Sequence, residues 1–305
     1  MATNLRAQFA DFFGQGKLPN LEAVILATYD SYQSMIPIIF NETNMTTDIY
    51  QTTTYSGLKN PELTPENSPV KFQTLKSGFK KTYTALKYAS GYRISKEMKR
   101  DGKEDFVGRA TQSFAKGQFE VRELKAAEIF DDGFVTNGYD GKPLFSATHP
   151  LENGDGQVGV NLTVAAELSI TSFRELRNVM QNTLNENGQL VKYTPQLFIV
   201  PQALQDDAFE IMKSQYNPEN ANNAVNSVYN TCTLLPGGFW NYLESDTAYF
   251  LQAAKVDHYL MFLTRQALEV TTDYDFHSQA NEIIADSRFD VGVSSWRGVA
   301  GNAGA

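Results

Sequence analysis

An α+β fold is predicted by three features of the chain: sustained helical periodicity near residues 103–130, alternating amphipathic helices and short apolar strands between residues 169 and 263, and β-prone segments flanking a proline-rich stretch. The 305 residues suffice for one large domain or two. With 42% hydrophobic and 12% aromatic residues the composition is that of a folded chain. No apolar run approaches the roughly 18 residues a membrane span needs.

At the start, Phe9, Phe12 and Phe13 have helical spacing, broken at Gly14-Gln15-Gly16. A helix is predicted from Asn20, an N-cap type, through Leu21, Val24, Ile25, Thr28, Tyr32 and Met35, ending before Pro37. Thr46, Thr47, Thr52, Thr53 and Thr54 mark an extended segment over residues 43–55. Between Ser56 and Pro69, the prolines Pro61, Pro65 and Pro69 together with Gly57 exclude both a regular helix and a central strand, which leaves an exposed tip. Residues 70–95 return as strand through Val70, Phe72, Tyr83, Tyr88, Tyr92 and Ile94, although Phe79, Tyr83 and Leu86 also fit helical spacing. So long an excursion cannot cover its own backbone inside a compact domain, where loops rarely exceed about 15 residues. It is expected to pack on a neighbour.

Val107, Ala110, Phe114, Gly117, Val121 and Leu124 advance by alternating steps of three and four, which predicts one long helix with that face inward, stopping near Asp131-Asp132-Gly133. Asn137-Gly138, Asp140-Gly141 and Asn153-Gly154 then signal hairpins and loops. Ile170, Phe173, Leu176, Val179, Met180 and Leu184 predict a helix over 169–187 with Gly188 as its stop. Leu197-Phe198-Ile199-Val200 is a strand closed by Pro201, and Leu204, Ala208, Ile211 and Met212 predict a helix near 202–215. Strands follow at 249–251, 259–263, 268–277 and 289–293.

Net charge is −9 and the pI near 4.9, which argues against phosphate gripping as the main task. From Lys71 to Lys103, however, ten basic residues face two acidic ones, a surplus of eight that leaves the remainder at −17. Such a split favours the basic segment of one copy lying on the acidic body of another.

No chemistry declares itself. Ser146 and His149 with Asp140 upstream lack the Gly-x-Ser-x-Gly elbow of a hydrolase. His149, His258 and His277 are too dispersed for metal-ligand spacing, and Glu152-Asn153-Gly154-Asp155-Gly156 lacks the alternating acids of a calcium loop. No phosphate-cradling glycine motif is present, so neither a metal nor a cofactor is expected. Aromatics interleaved with lysines between Phe72 and Tyr92 suit single-strand stacking, but the acidic remainder of the chain opposes it. Cys232, the only cysteine, sits in an apolar-flanked run and reads as buried and inert. The first residues lack the charged start and apolar block of a secretory signal, so use in a cytoplasm is expected.

Several segments in shared order resemble the major head protein family of tailed bacteriophages, in its Mu-like branch. They are Lys80-Lys81-Thr82-Tyr83, Gly91 to Glu97, the Gly-Lys-Pro-Leu-Phe-Ser-x-x-His-Pro run ending at Pro150, Leu197 to Pro201, Asn217 to Asn226, Asp246 to Leu251, Arg288 to Gly292, and Trp296-Arg297-Gly298. The resemblance implies the tailed-phage capsid fold of the Hong Kong ninety-seven type. It assigns an N-terminal arm to 1–45, an E-loop to 46–95, and a P-domain to 96–164 with a spine helix at 103–130. An A-domain falls at 165–265, and the second part of the P-domain with the tail at 266–305. The implied function is a structural, non-enzymatic subunit that assembles with itself, as hexamers and pentamers, into an icosahedral head. The head would enclose double-stranded DNA without sequence-specific contact, alongside portal, scaffold and decoration proteins, with assembly in the host bacterial cytoplasm. An encapsulin-like shell around an enzyme cargo is the alternative. Intersubunit contacts are expected at Pro61, Pro65, Lys71, Lys76, Lys80, Lys81, Lys87, Arg93, Trp296 and Arg297. Trp296 is read as a buried ring, Arg297 as an intersubunit fork, and the glycine tail as ordering only against neighbours. No residues match a covalent lysine-asparagine cross-link, and a separate scaffold protein is expected because arm-like sequence starts almost at Met1.

Overall fold

The computed structural model describes residues 21–305 except 56–57, 59, 62, 71, 74–76, 101–103, 152–155 and 217–223. The helix expected around Phe9–Phe13 and the cap at Asn20 lie outside the described residues. In chain order the elements are α1 (Leu21–Asp30), α2 (Ile36–Ile39), β1 (Asn41–Asn44), β2 (Ile49–Tyr55), β3 (Ser77–Thr84), β4 (Leu86–Ser95), α3 (Lys96–Arg100) and α4 (Glu104–Asp131). They continue with β5 (His149–Pro150), β6 (Val158–Gly159), α5 (Ile170–Gln181), β7 (Pro195–Ile199), α6 (Gln205–Lys213), β8 (Thr233–Leu234), β9 (Tyr249–Ala253), β10 (Leu260–Asp275), β11 (Ala280–Val293) and β12 (Val299–Asn302). The fold is α+β, as the periodicities predict.

Two four-stranded sheets organise the chain. The first runs β1-β10-β11-β4, with the β10–β11 hairpin at its centre and β1 parallel to β10. The second runs β12-β9-β7-β8, with β9 antiparallel to both neighbours and buried at every position. A separate hairpin, β2–β3, stands outside both. The aromatic residues of one core cluster join all these layers. Phe130 of α4 lies edge-on to Phe40, Trp240 and Phe250, at ring-centroid distances of 6.2, 5.8 and 5.1 Å. Phe262 of β10 stacks on Phe289 of β11 at 5.3 Å.

The long helix is where expected, but its buried face is turned from the predicted one. Val107, Thr111, Ala115, Phe119, Glu123, Ala126, Ala127 and Phe130 point inward, whereas Leu124 is 49% exposed. Hydropathy alone misplaces the face because three buried positions are polar and satisfied. Thr111 Oγ1 shares a 2.8 Å hydrogen bond with the Tyr92 hydroxyl and donates to Val107 O, while Gln118 Nε2 donates to Ser90 Oγ. Glu123 accepts from Ser34 Oγ at 2.5 Å, from Met35 N at 3.2 Å and from Trp240 Nε1 at 3.1 Å.

Those contacts also end α1 sooner than its apolar spacing suggests. The chain turns at Asp30, Glu123 holds Ser34 and Met35, and Pro37 falls in the first turn of α2, where a missing N–H breaks no bond. Helix α5 opens on a Ser169–Ser172 capping box. It closes at Gln181, short of the expected stop; Gly188, at φ 73°, sits in the turn beyond. The strands expected at 259–263 and 268–277 are one continuous β10 with irregular register between Thr264 and Glu269.

Burial pushes the Glu123 carboxyl above its ordinary range, against the hydrogen bonds that lower it. Glu123→Gln leaves one oxygen where three donors converge, so it should cost about 1–3 kcal/mol in chemical denaturation. Phe130→Ala should cost about 3–5 kcal/mol by the same measurement.

Candidate assembly surfaces

The β2–β3 hairpin is anchored at its base and open along its length. Tyr83 of β3 is buried against β11, its hydroxyl 2.7 Å from Ser294 Oγ, and the next amide, Thr84 N, donates to Asp290 Oδ2 at 2.9 Å. Burial drives the Tyr83 phenol far above its usual range. Beyond this anchor the loop leading to β3 carries Leu63 at 98%, Phe72 at 95% and Val70 at 69% exposure. Clustered apolar side chains this exposed mark a surface made to be covered. Pro61 and Pro65 lie exposed in the same loop.

The basic residues divide into two groups. Lys71 and Lys76 lie outside the described residues. Among the described residues Lys80 and Lys81 form no ion pair, and the Lys81 ammonium stands 5.9 Å from the Tyr83 ring centroid. Lys87 and Arg93, by contrast, are answered within the chain by Asp286 at 3.4 Å and Glu282 at 2.7 Å on the neighbouring strand. Exposed pairs of this kind contribute under about 1 kcal/mol each.

Trp296 and Arg297, expected at intersubunit contacts, are buried within their own chain. Trp296 is 1% exposed and lies flat on His149, ring centroids 4.4 Å apart and planes 6° from parallel. Gly159 makes room for it, since a Cβ there would stand 2.2 Å from the indole. Arg297 Nη1 donates to Glu186 Oε1 at 2.6 Å and its Nε to Leu184 O at 2.9 Å, with both charged side chains buried. Arg297 Nη2 is buried without a hydrogen-bond partner among the described residues. Gly298 turns at φ 79° with Asp257 O only 2.3 Å from where a Cβ would be, and β12 then pairs with β9. Sequence shows Arg297 beside Trp296 but not Glu186, which the fold brings from 111 residues away.

The Ser146–His149 pairing of a hydrolase is not made. His149 Nε2 meets Asn161 Oδ1 at 3.1 Å, and Ser146 Oγ accepts from Thr148 N. Burial pushes the Cys232 thiol up to about 12, as suits an inert core cysteine. His258, 2% exposed, is pushed down to about 4 by burial and then by Lys255. Among the described residues no cluster of acids, histidines or cysteine could hold a metal, and no helix is long and apolar enough to cross a membrane.

Two packed sheets, a long helix and a projecting hairpin with an uncovered apolar tip define a protein built to contact other subunits. A family model described as phage capsid protein matches residues 79–302, and the chain belongs to that family. Its fold is also that of solved shells. The capsid of Myoviridae phage XM1 aligns at TM-score 0.56 and 12% identity, over 90% of this chain and 93% of that one. The capsid of bacteriophage JBD30, decorated with minor capsid protein trimers, aligns at 0.56 and 13%, over 70% and 92%. The virus-like particle from Pyrococcus furiosus aligns at 0.53 and 7%, over 92% and 97%. No curated protein gives a significant match. The protein is a structural shell subunit of the tailed-phage capsid fold.

Two outcomes follow from the buried charges. Arg297→Met removes the buried ion pair to the Glu186 carboxylate and should cost about 3–5 kcal/mol in urea denaturation, whereas replacing both partners by Met should cost measurably less. His258 stays neutral in the folded chain until about pH 4 while the unfolded chain takes up a proton near pH 6.5. Stability from this group is therefore present above pH 6.5 and lost as pH falls towards 4, by up to about 3 kcal/mol. His258→Gln should flatten that acid limb in pH-dependent melts.

Proposed function

We propose that the chain is the major head subunit of a Mu-like tailed bacteriophage, assembling as hexamers and pentamers into an icosahedral shell around double-stranded DNA. The observation that carries this reading is the anchored hairpin: Leu63, Val70 and Phe72 of its loop are exposed, and among the described residues Lys80 and Lys81 form no ion pair. In a shell the E-loop of one copy, residues 46–95, lies on the body of the next, whose acidic surplus complements it. The N-terminal arm is then 1–45, the P-domain 96–164 with 266–305, and the A-domain 165–265.

An acidic body suits dense DNA packing because it does not adhere to phosphate. Scaffold and portal proteins complete the assembly in the host cytoplasm, and decoration is the arrangement named for the JBD30 capsid. The second reading is a cargo-holding compartment, since the fold is shared with the virus-like particle from Pyrococcus furiosus. Negative-stain microscopy of the expressed protein should show closed shells. Nuclease-protected DNA in shells from infected cells supports the head, and a stoichiometric protein cargo supports the compartment. Lys80→Glu with Lys81→Glu should lower particle yield at least several-fold at low salt while leaving the circular dichroism of the subunit unchanged. Equal yield at low and high salt would discard the electrostatic docking.

A further inference from the structure

We propose that the open edge of β2 in one copy adds as a fifth strand to β4, at the margin of the first sheet of the next copy. This inference rests on the shell reading above and names how the hairpin is held there. Backbone chemistry is the starting point, because an edge strand turns half of its N–H and C=O groups away from its one partner. Folded chains keep such edges short, cover them or guard them with charge.

Four edges follow that rule. In the first sheet β1 is four residues long and carries Glu42. In the second sheet β8 has two residues. The other margin, β12, is covered by residues 161–163: Gly301 N donates to Asn161 O at 3.0 Å and Thr163 N to Gly301 O at 3.3 Å. In the separate hairpin β3 carries Lys80 and Lys81 at its centre.

Strands β4 and β2 do not. β4 runs for ten residues without a proline, in unbroken register against β11 from Leu86 to Ser95. Its two charges are no guard, since Asp286 and Glu282 draw Lys87 and Arg93 onto β11. Between them Tyr88-Ala89-Ser90-Gly91-Tyr92 is uncharged, and Ala89, Ser90 and Gly91 are exposed. β2, Ile49-Tyr50-Gln51-Thr52-Thr53-Thr54-Tyr55, has neither charge nor proline and is rich in β-forming residues. It keeps regular register with β3 from Ile49 to Thr53. Among the described residues no further strand pairs with either edge.

The two edges suit each other better than either suits itself. A β4 laid antiparallel on a second β4 and centred on Ser90 would set Lys87 opposite Arg93, a like-charge pair. A β2 laid on a second β2 would leave the whole of β4 bare. Pairing β2 with β4 uses both edges, with main-chain hydrogen bonds supplying the affinity. Because the edges are two different surfaces of one chain, the contact is head-to-tail and repeats around a ring.

Amide hydrogen exchange of the full-length protein, as isolated subunits and as purified shells, tests the pairing. In subunits the alternate amides of β2 and β4 that point away from β3 and β11 should exchange fast. In shells those same amides should slow at least about tenfold in both strands. Shells in which either strand keeps its subunit rate would overturn strand addition and leave the shell reading standing. Absence of any shell by microscopy would overturn both. Partner choice is read by mixing Gln51→Cys subunits with Ala89→Cys subunits, both exposed positions, and treating the shells with a short bismaleimide. Unlike subunits should be joined, and products between like subunits alone would discard the head-to-tail contact. Should either variant fail to assemble, the exchange data on the wild-type shells still decide.

Discussion

The aromatic core around Phe130 is the constraint from which the rest of this fold follows. One end of α4 delivers Phe130 to a point where Phe40, Trp240 and Phe250 converge from three separate parts of the chain. Because Phe250 belongs to the second sheet, and Phe262 and Phe289 of the same cluster to the first, the two sheets cannot move apart without opening this core. Rings that bury large areas with defined edge-on geometry transmit position as well as stability. The body is therefore a fixed frame, and what projects from it projects at a fixed angle.

That rigidity is what a shell subunit needs, since closing a particle requires every copy to present its contact surfaces in a set relation. Tyr83 carries the frame into the projecting hairpin through its buried contact with β11 and Ser294. Beyond it the chain exposes Leu63, Val70 and Phe72 in the loop, and along β3 Lys80 and Lys81 form no ion pair among the described residues. The body meanwhile binds its own charges: Lys87, Arg93 and Arg297 all find carboxylates within the chain.

The C-terminus shows how far sequence could be read. Trp296 is rightly a buried ring, because a large apolar side chain near small residues has few other uses. Arg297 is not legible in that way: its partner, Glu186, and the carbonyl of Leu184 come from a turn more than 100 residues earlier. The strand Val299–Asn302 is equally hidden, since its four small residues have no periodicity, and only pairing with β9 makes them a strand. The long helix gives the same lesson in milder form. Its length is plain in the three-four spacing, while its buried face is set by Thr111, Gln118 and Glu123, polar residues whose partners lie on other elements.

Local physics determined the element types, the proline-rich tip and the charge asymmetry, because these depend on neighbours a few residues apart. The order of motifs was enough to place the chain among phage capsid proteins, since family likeness is carried in sequence directly. Tertiary structure alone decided which lysines remain unpaired and where the tail goes. Each of those depends on groups distant in sequence meeting in a space that only the packed core defines.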